Sequence, residues 1–558
     1  MPDIIKVICE NLGTEVDVPM GTPLSEVAKR LTPGRYPFLA AFVNNRLKEL
    51  NYKIYAPVTI RFVDITSFAG IRVYQRTAWF LLQKAVKDLY PGQTLHIRHS
   101  MGQSGFYCEI DGIDEFTPDE AAQLRDRMRE LSVRNLPITR QRMLTTEVRA
   151  RYAEEGFTDK IALLDTRPRL YSQLYTLDDT AGYFYGSLAP STGYVTLFDI
   201  EPYYNGFYLA LPLRTSPDTL HRNVHQEKMF GIFQEYQSWV RIMGVPTVGD
   251  VNSKVLAGDG GGLIKLAEAF HERKFAWVAD TIYDAHLSRG ARMVLISGPS
   301  SSGKTTSAKR LGIQLGVLGL NPVLISLDDY FVEREKTPRD EKGDYDFEAL
   351  EAVDVELFND HLNRLLEGET VRIPRYNFIT GKREFHEQPL QMEERSVLVI
   401  EGIHGLNPKL TPHVAADMKF KIYVSALTSI AMDNLNRIAT TDSRLIRRIV
   451  RDHRTRGNSA TDTLRRWESV RRGEDKHIFP NQEQADLMFN SSLFYELSVL
   501  KDYVRPLLRE VPDTVPEFGE AHRLLKFLDH FTSMDRFEAE IPPTSILREF
   551  IGGSCFEY

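Results

Sequence analysis

The most constraining feature of the 558-residue sequence is the glycine-rich segment GPSSSGKTT at residues 298–306. It directly follows the apolar run RMVLIS (residues 292–297), whose composition is typical of a buried parallel strand. A helical pattern continues from the segment to Leu318. A strand, a glycine-rich loop and a helix in this order predict a loop whose amide N–H groups surround phosphate at a helix N-terminus. The sequence therefore predicts an α/β domain with a parallel sheet flanked by helices.

The loop residues have distinct expected roles. Those predicted to bind ATP phosphates are Gly298, Ser300, Ser301, Ser302, Gly303, Lys304, Thr305 and Thr306. The ammonium group of Lys304 suits the β- and γ-phosphates, and the hydroxyl of Thr305 suits Mg²⁺. We therefore expect ATP and Mg²⁺ as cofactors and Lys304 as a catalytic residue.

Two further apolar runs end in carboxylates. Residues 323–327 lead to Asp328 and Asp329, and residues 397–400 lead to Glu401. Because ligands bind beyond the carboxyl ends of parallel strands, these acids are expected near the transferred phosphoryl group. We predict that Asp328 accepts the proton of an attacking hydroxyl and supports the metal, and that Glu401 holds Mg²⁺ directly or through water. An N-cap or turn aspartate is the alternative for Asp328.

A basic segment lies within a chain whose formal net charge is −7. Residues 437–476 contain 12 Lys or Arg against 6 Asp or Glu. Arg444 and Arg447, together with Arg448 and Arg451, fall on one face of a predicted helix. Guanidinium groups bind phosphate, so we predict a lid over the nucleotide that carries Arg444 and Arg447. The alternative is a solvated helix face with salt bridges.

Aromatic and polar residues alternate between the second and third strands. Phe347, Glu348, Tyr376 and Phe378 are candidates to bind a flat heterocycle and its sugar by stacking and hydrogen bonding. Packing in the hydrophobic core is the alternative for the aromatic rings.

Residues 291–510 resemble the uridine/cytidine kinase and phosphoribulokinase group of P-loop kinases. The resemblance rests on the glycine-rich loop, SLDDYF, PRYNFITGKR, VIEGIHG and the SRLIRRIVRD segment, in that order. It implies 5′-phosphorylation of a nucleoside such as uridine or cytidine, with Asp328 as the base. It also implies Phe347 and Glu348 at the ribose, and Tyr376 and Phe378 beside the base.

Three departures from that group concern the acceptor. Gly381 stands where pyrimidine kinases have a base-reading histidine, Asp462 where they tend to have Gln, and Glu348 where they usually have Asp. A glycine offers no side-chain donor, so the pocket would discriminate differently. The acceptor could therefore be another nucleoside or another small hydroxylated molecule.

The N-terminal part resembles two domains of threonyl-tRNA synthetases. Residues 1–66 have the ββαβ order of the β-grasp TGS domain, with a hairpin signal at residues 11–13. The segments TAWFLLQKAVKDLY, SGFYCEI, YTLDD and APSTG resemble, in order, the second additional, editing-type domain of those enzymes. That editing site uses an HxxxH pair and a Cys–His pair, but Arg76, Phe80, Phe184 and Leu188 stand at these positions here. Because Phe and Leu neither bind metal nor transfer protons, we expect no editing chemistry.

The chain is thus predicted to be a multidomain α/β protein. The expected units are a TGS-like β-grasp domain (1–66), an α+β synthetase-editing-like domain (67–222), a helical connector (223–290) with a glycine turn at residues 258–262, a P-loop kinase domain (291–510) and a C-terminal helical tail (511–558). No apolar run nears the roughly 20 residues of a membrane span, no signal peptide is recognised, and three isolated cysteines indicate no disulfide framework. A cytoplasmic location without a membrane partner is expected.

One alternative function stays open. The N-terminal half could contact RNA, in a regulatory protein that senses RNA or nucleotide and uses the P-loop as an ATPase switch. Association into a homo-oligomer is also left open by the sequence.

Overall fold

A computed structural model describes residues 3–31, 34–102, 105–221, 225–340, 343–378 and 380–558. The predicted domain boundary between residues 222 and 223, Ser104 of the SGFYCEI segment and Ile379 of the PRYNFITGKR segment lie outside these ranges. Within the described ranges, no helix has the length and apolar character needed to cross a membrane. The predicted domain boundaries stay predictions.

The N-terminal region is a five-stranded mixed sheet with one short helix. Its elements are β1 (Ile4–Cys9), β2 (Thr14–Pro19), α1 (Leu24–Lys29), β3 (Ala40–Val43), β4 (Arg46–Glu49) and β5 (Val58–Val63). The strand order is β2-β1-β5-β3-β4, and the β1–β5 pair is parallel. Exposed and buried residues alternate along β1, so Ile5, Val7 and Cys9 point into the core.

The second region contains two antiparallel sheets, β11-β12-β7-β6 and β10-β9-β8, with four helices. Its elements are α2 (Phe68–Leu89), β6 (Leu95–Met101), β7 (Gly105–Ile110), α3 (Pro118–Val133), β8 (Ile138–Leu144), α4 (Thr145–Glu154), α5 (Thr158–Asp165), β9 (Tyr171–Leu177), β10 (Thr180–Gly182), β11 (Asp199–Tyr203) and β12 (Gly206–Ala210). Helix α2 is buried along most of its length, and its buried residues include the polar Arg76, Thr77, Gln83 and Lys84.

Three helices follow: α6 (Glu227–Ile242), α7 (Val248–Leu256) and α8 (Gly260–Arg289). The glycine turn predicted at residues 258–262 is wrong in part, because α8 already begins at Gly260. A β-carbon on Gly260 would lie 2.3 Å from the ring of Phe537, and one on Gly261 would lie 2.3 Å from the carboxylate of Glu540. These glycines therefore permit close packing of a helix start, which sequence periodicity does not reveal.

The third region has the predicted parallel sheet. Its elements are β13 (Met293–Ser297), α9 (Lys304–Val317), β14 (Asn321–Ser326), α10 (Val355–Leu366), β15 (Pro374–Asn377), β16 (Lys382–Phe385), β17 (Ser396–Glu401), β18 (Lys419–Ser425), α11 (Thr440–Arg456), α12 (Ala460–His477), β19 (Leu487–Asn490) and α13 (Glu496–Arg509). The sheet order is β14-β17-β13-β18-β19, with all four pairs parallel. Every residue of β13 and β17 is buried, which confirms the prediction of central strands covered on both faces.

Two short helices complete the chain, α14 (Phe518–Leu528) and α15 (Arg548–Ile551). Helix α14 connects distant parts of the molecule through its charged residues. Arg523 donates to both carboxylate oxygens of Asp442 on α11 at 2.8 Å. Glu520 accepts from Arg72 on α2 at 2.9 Å. The C-terminal part is therefore bonded to both the second and the third region.

A buried charge cluster joins α5 to the segment between β18 and α11. The ammonium of Lys160 lies 3.4 Å from Asp159 and 3.5 Å from Asp433, and all three side chains are buried. The carboxylate of Asp159 also accepts from the backbone N–H of Asn434 at 2.7 Å. Because buried charges must be paired, this cluster fixes the contact between the second and the third region.

We expect Lys160→Met to destabilise the protein strongly, because it leaves two carboxylates buried without their cation. The loss in free energy of unfolding should be about 3–5 kcal/mol, measured as a lower midpoint of urea denaturation. The matched control is Lys265→Met on α8, whose side chain is 74% exposed and pairs with Glu540. A surface pair of this kind contributes at most about 1 kcal/mol. Equal midpoints for the two variants would contradict the interpretation.

Candidate active site

The glycine-rich loop connects β13 to the first turn of α9. Gly303 precedes the helix with a φ of 82°, and Ser301 also has a positive φ of 58°. A β-carbon on Gly298 would lie 1.9 Å from the carbonyl oxygen of Val424, so only glycine fits there. The Nζ of Lys304 donates to the carbonyl of Pro299 at 3.3 Å. The loop therefore directs the first free N–H groups of α9 and the ammonium of Lys304 to one place.

The parallel register brings Glu401 beside this loop. Glu401 pairs with Ile296 of β13 on one side and with Ser326 of β14 on the other. Its Oε1 accepts hydrogen bonds from Thr305 Oγ1 at 2.9 Å and from Ser326 Oγ at 3.1 Å. The ends of three strands thus meet at one carboxylate.

The oxygen atoms at this point fit Mg²⁺. Burial raises the pKa of Glu401 to about 7, and Asp328 adds to this effect while Lys304 opposes it. A buried carboxylate of this kind is stabilised in its ionised form by a cation. Hydroxyl and carboxylate oxygens are the ligands that Mg²⁺ prefers, so Thr305 and Glu401 could hold it.

The adjacent acids Asp328 and Asp329 have different neighbours. Asp329 accepts from the backbone N–H of Tyr376 at 3.3 Å, and burial raises its pKa. The half-buried Asp328 influences Glu401 and Glu348, since its negative charge raises the pKa of both carboxyls. Asp328 is therefore the acid of the two that shares the surroundings of Glu401.

Glu348 is the second carboxyl with a strongly perturbed pKa. Burial raises this pKa to about 7, and the charges of Glu474 and Asp328 act in the same direction, whereas Arg448 and Lys304 act against it. Its Oε2 is buried and has no hydrogen-bond partner among the described residues. Such an atom is available to accept a hydrogen bond from a bound molecule.

The aromatic candidates lie around one ring. Phe347, Tyr376 and Phe378 have ring centroids 6.2, 5.6 and 6.1 Å from that of Phe331. Tyr376 is buried, whereas Phe347 and Phe378 are 36% and 39% exposed. Phe331 was not among the sequence candidates, although it lies only two residues after Asp329. The group forms a partly exposed aromatic surface next to Glu348.

Arg334 occupies the space beside Gly381. A β-carbon on Gly381, whose φ is 71°, would lie 2.8 Å from Arg334 Nε. Arg334 also donates to the carbonyl of Phe378 at 2.5 Å. Asp462, another of the departures, lies in the first turn of α12, where its carboxylate accepts from the hydroxyl of the N-cap residue Ser459 at 2.6 Å.

The structure differs from the predicted lid at Arg444 and Arg447. Both guanidinium groups are buried, and they pair with Glu474 and Glu496, respectively. They also donate to the carbonyls of Ser300 and Ser301 at 3.2 and 3.4 Å. The two arginines therefore hold the glycine-rich loop through its carbonyl oxygens. Their charges are already neutralised by the glutamates and are not available to a nucleotide.

Neighbouring arginines take the more accessible positions. Arg448 donates to Ser300 Oγ at 2.8 Å, and Arg456 lies 4.9 Å from the ring of Phe378. Arg448, Arg451 and Arg456 share the single carboxylate of Asp452. The sequence placed Arg448 and Arg451 on the same helix face, but the 3.6-residue period alone does not show which members of that face turn inwards.

Two carboxylates from outside the predicted core motifs contact the loop and the first turn of α9. The backbone N–H of Ser300 donates to Glu474 at 3.0 Å. The hydroxyl of Thr306 donates to Glu549 at 2.6 Å and lies 2.9 Å from the hydroxyl of Tyr558. No sequence signal links residues 549 and 558 to residue 306, since this contact depends on how α15 packs against α11 and α9.

The positions that differ from the editing motif are filled by packed side chains. The rings of Phe80 and Phe184 lie 5.3 Å apart, and both are buried, as is Leu188. The buried guanidinium of Arg76 donates to the carbonyl of Ser187 at 3.0 Å. Apolar packing and one backbone hydrogen bond thus occupy this place.

Comparison with known proteins assigns the two halves to different groups. Residues 293–495 match the family model described as "Phosphoribulokinase / Uridine kinase family". A uridine kinase of Mycoplasma pneumoniae is 29% identical over 229 residues, which cover 40% of this chain and 98% of that enzyme. A threonine–tRNA ligase of Rubrobacter xylanophilus is 27% identical over 190 residues, or 34% of this chain. The chain spans only 29% of the length of that ligase.

This chain carries a phosphoribulokinase/uridine kinase family domain behind a region similar to threonine–tRNA ligases. Among solved structures, a protein described as a possible uridine kinase from Bacillus stearothermophilus is similar with 21% identity and a TM-score of 0.26. That match covers 39% of this chain and 98% of the other.

We expect Glu348→Gln to change the pH dependence of stability. Because the pKa of Glu348 is raised to about 7 from 4.5, its protonated form stabilises the fold below pH 4.5, and this contribution is lost as pH rises through 7. At pH 5 the variant should be about as stable as the original protein. At pH 8 it should have the higher melting temperature, because its free energy of unfolding is larger by at most about 3 kcal/mol.

Thermal denaturation at both pH values measures this effect. The exposed Glu387→Gln on the loop after β16 is the matched control, and it should leave the difference between pH 5 and pH 8 unchanged. A Glu348→Gln protein that is destabilised equally at both pH values would contradict the prediction.

Proposed function

We propose that this chain is an ATP-dependent kinase that phosphorylates a hydroxyl group of a small molecule, with the 5′-hydroxyl of a nucleoside such as uridine or cytidine as the first candidate. The main support for this proposal is that the ends of three strands meet at Glu401. This brings the glycine-rich loop, Lys304 and Asp328 near one another. The family match of residues 293–495 supports the same reaction class.

The proposed transfer assigns one task to each group. Asp328 accepts the proton of the acceptor hydroxyl, whose oxygen attacks the γ-phosphorus while the bond to the β-phosphate oxygen breaks and ADP leaves. Lys304 and the N–H groups at the start of α9 stabilise the charge on the phosphate oxygens. Thr305 and Glu401 would hold Mg²⁺, which would supply positive charge beside the phosphates of ATP.

The acceptor is proposed to lie on the aromatic surface formed by Phe331, Phe347, Tyr376 and Phe378. The buried Oε2 of Glu348 is available to accept a hydrogen bond from a sugar hydroxyl. Arg334, beside Gly381, offers only hydrogen-bond donors. It therefore favours a substrate whose edge carries oxygen or nitrogen atoms that accept hydrogen bonds. A nucleoside meets both requirements.

A second candidate is a regulatory protein that uses the loop as an ATPase switch. It is favoured by the carboxylates of Glu474 and Glu549, which already hold donors of the loop and of α9. ATP consumption measured with and without nucleosides separates the candidates, because a switch hydrolyses ATP without an acceptor and a kinase needs one.

We expect Lys304→Ala and Asp328→Asn each to reduce phosphoryl transfer at least about 10²-fold with the fold retained, because each removes a charge at the reacting groups. Product formation from ATP and a panel of nucleosides, together with circular dichroism, measures this. Lys265→Ala, at an exposed position of α8, is the control. Full turnover by Asp328→Asn on a confirmed acceptor would exclude this residue as the base.

We expect Glu549→Gln to tighten ATP binding about fivefold. A carboxylate near the first turn of α9 repels a triphosphate by roughly 1 kcal/mol at this kind of site. Titration with a fluorescent ATP analogue measures the affinity, and the exposed Glu510→Gln is the control. Weaker or unchanged binding by Glu549→Gln would show that its carboxylate does not compete with the nucleotide.

A further inference from the structure

Five basic residues from three separate elements lie close enough to influence one another electrostatically. We call this group the basic row. Its members are Arg46 and Lys48 of β4, Arg140 of β8, and His522 and Lys526 of α14. The parts of the chain that contribute them are almost 500 residues apart in sequence, so the row exists only in the folded protein.

Packing of α14 on the β3–β4 hairpin places the members side by side. Gly519 of α14 lies so close to Phe42 that a β-carbon would be 2.6 Å from its ring. The guanidinium of Arg46 lies 5.4 Å from the ring of Phe518, which stacks on His522 at 5.8 Å. Residues 518, 522 and 526 share one helix face, and residues 46 and 48 share one strand face. The two elements thus form parallel rows of basic groups.

Most of these cations have no counterion. Within the described ranges, Arg46, Lys48, His522 and Lys526 form no ion pair. Arg140 lies 3.4 Å from Glu49, whose carboxylate also accepts from Tyr175. By contrast Arg523, next to His522 on the same helix, is paired with Asp442 and Glu520. The carboxylates that act on this face of α14 are those of Glu49 and Asp529, which already pair with Arg140 and with Arg169 and Arg505, respectively. Basic groups therefore outnumber the carboxylates there.

Burial and the proximity of the basic groups lower the pKa of three members of the row, Lys48, His522 and Lys526. Partial burial, together with Lys526, Arg46 and Lys48, lowers the pKa of His522 to about 4. Burial and the neighbouring cations also lower the pKa of Lys48 and of Lys526. Repulsion between neighbouring cations is relieved by a bound anion.

We propose that the basic row binds adjacent phosphate groups of one ligand. His522 and Lys526 are about 6 Å apart along the helix, and Arg46 and Lys48 lie on the adjoining strand, so the row can contact more than one phosphate group. Lys and Arg form charge-assisted hydrogen bonds to phosphate, and the neutral imidazole of His522 can donate one N–H. Two sources carry this chemistry: a free polyphosphate and the backbone of a single-stranded RNA. This proposal does not depend on the proposed kinase activity.

The test uses the full chain carrying Lys304→Ala, so that phosphate binding at the glycine-rich loop is weakened throughout. The probes are inorganic tripolyphosphate and a fluorescent 12-nucleotide single-stranded RNA, titrated at 50 and 200 mM salt. The test variant adds Lys48→Gln and Lys526→Gln. The control adds Lys29→Gln and Lys265→Gln, which remove the same charge from exposed lysines paired with Glu26 and Glu540.

We expect the test variant to bind at least tenfold more weakly than the control. The slope of log K against log salt for RNA should fall by about 1.4, because each lost phosphate contact removes about 0.7. Lys48→Arg with Lys526→Arg should retain binding, which separates lost charge from lost packing. Melting temperatures of all variants identify any that do not fold.

Several outcomes support the row and identify its ligand. RNA that binds and is displaced by tripolyphosphate indicates a backbone site, and tripolyphosphate binding without RNA binding indicates a small polyphosphate. The proposal is overturned if neither probe binds at 50 mM salt, or if the test and control variants weaken binding equally. If the protein phosphorylated no nucleoside, these binding results would still test the basic row, because they do not depend on phosphoryl transfer.

Discussion

The main-chain register of three parallel strands is the constraint on which the site depends. Backbone hydrogen bonds align Glu401 with Ile296 and Ser326, so the loop after β13, the acids after β14 and the carboxylate ending β17 reach the same edge. A slip of one residue would turn Glu401 to the opposite face of the sheet. Because β13 and β17 are buried throughout, apolar packing on both faces fixes this register, and the geometry of the chemistry follows from the core.

Buried ion pairs then hold the loop in place. Arg444 and Arg447 pair with Glu474 and Glu496 and bond to carbonyls of the loop. Breaking one such pair leaves an uncompensated charge in a dry environment, which costs more than the pair contributes. The pairs therefore favour one loop conformation over others. Glu474 has a second effect, since it also accepts from the N–H of Ser300 and so occupies a donor that an incoming phosphate would use.

The sequence predicted the features that follow from local pattern, and missed those that follow from tertiary packing. The strand–loop–helix order located the loop, and the apolar runs located β14 and β17, because periodicity and composition are local properties. The inward turn of Arg444 and Arg447 was not predictable, since four arginines on one helix face look equivalent until α12 and α13 supply carboxylates. Glu549 was missed because it lies in a part of the chain without a motif, although its partner Thr306 lies in the glycine-rich loop. Phe331 was missed because a local pattern does not show which aromatic rings pack together in the fold.

Helix α14 shows how charge links the two halves of the molecule. One of its faces carries His522 and Lys526 towards β4, and Arg523 between them bonds to Asp442 on α11, the helix that also carries Arg444 and Arg447. Glu520 bonds to Arg72 on α2, while Lys160 joins α5 to Asp433 before α11. The Glu520–Arg72 and Lys160–Asp433 pairs each join a buried or half-buried charge of one half to one of the other. Separating the halves would expose unpaired charges at both places, so the region similar to synthetases is held to the kinase-family domain as part of one electrostatic framework.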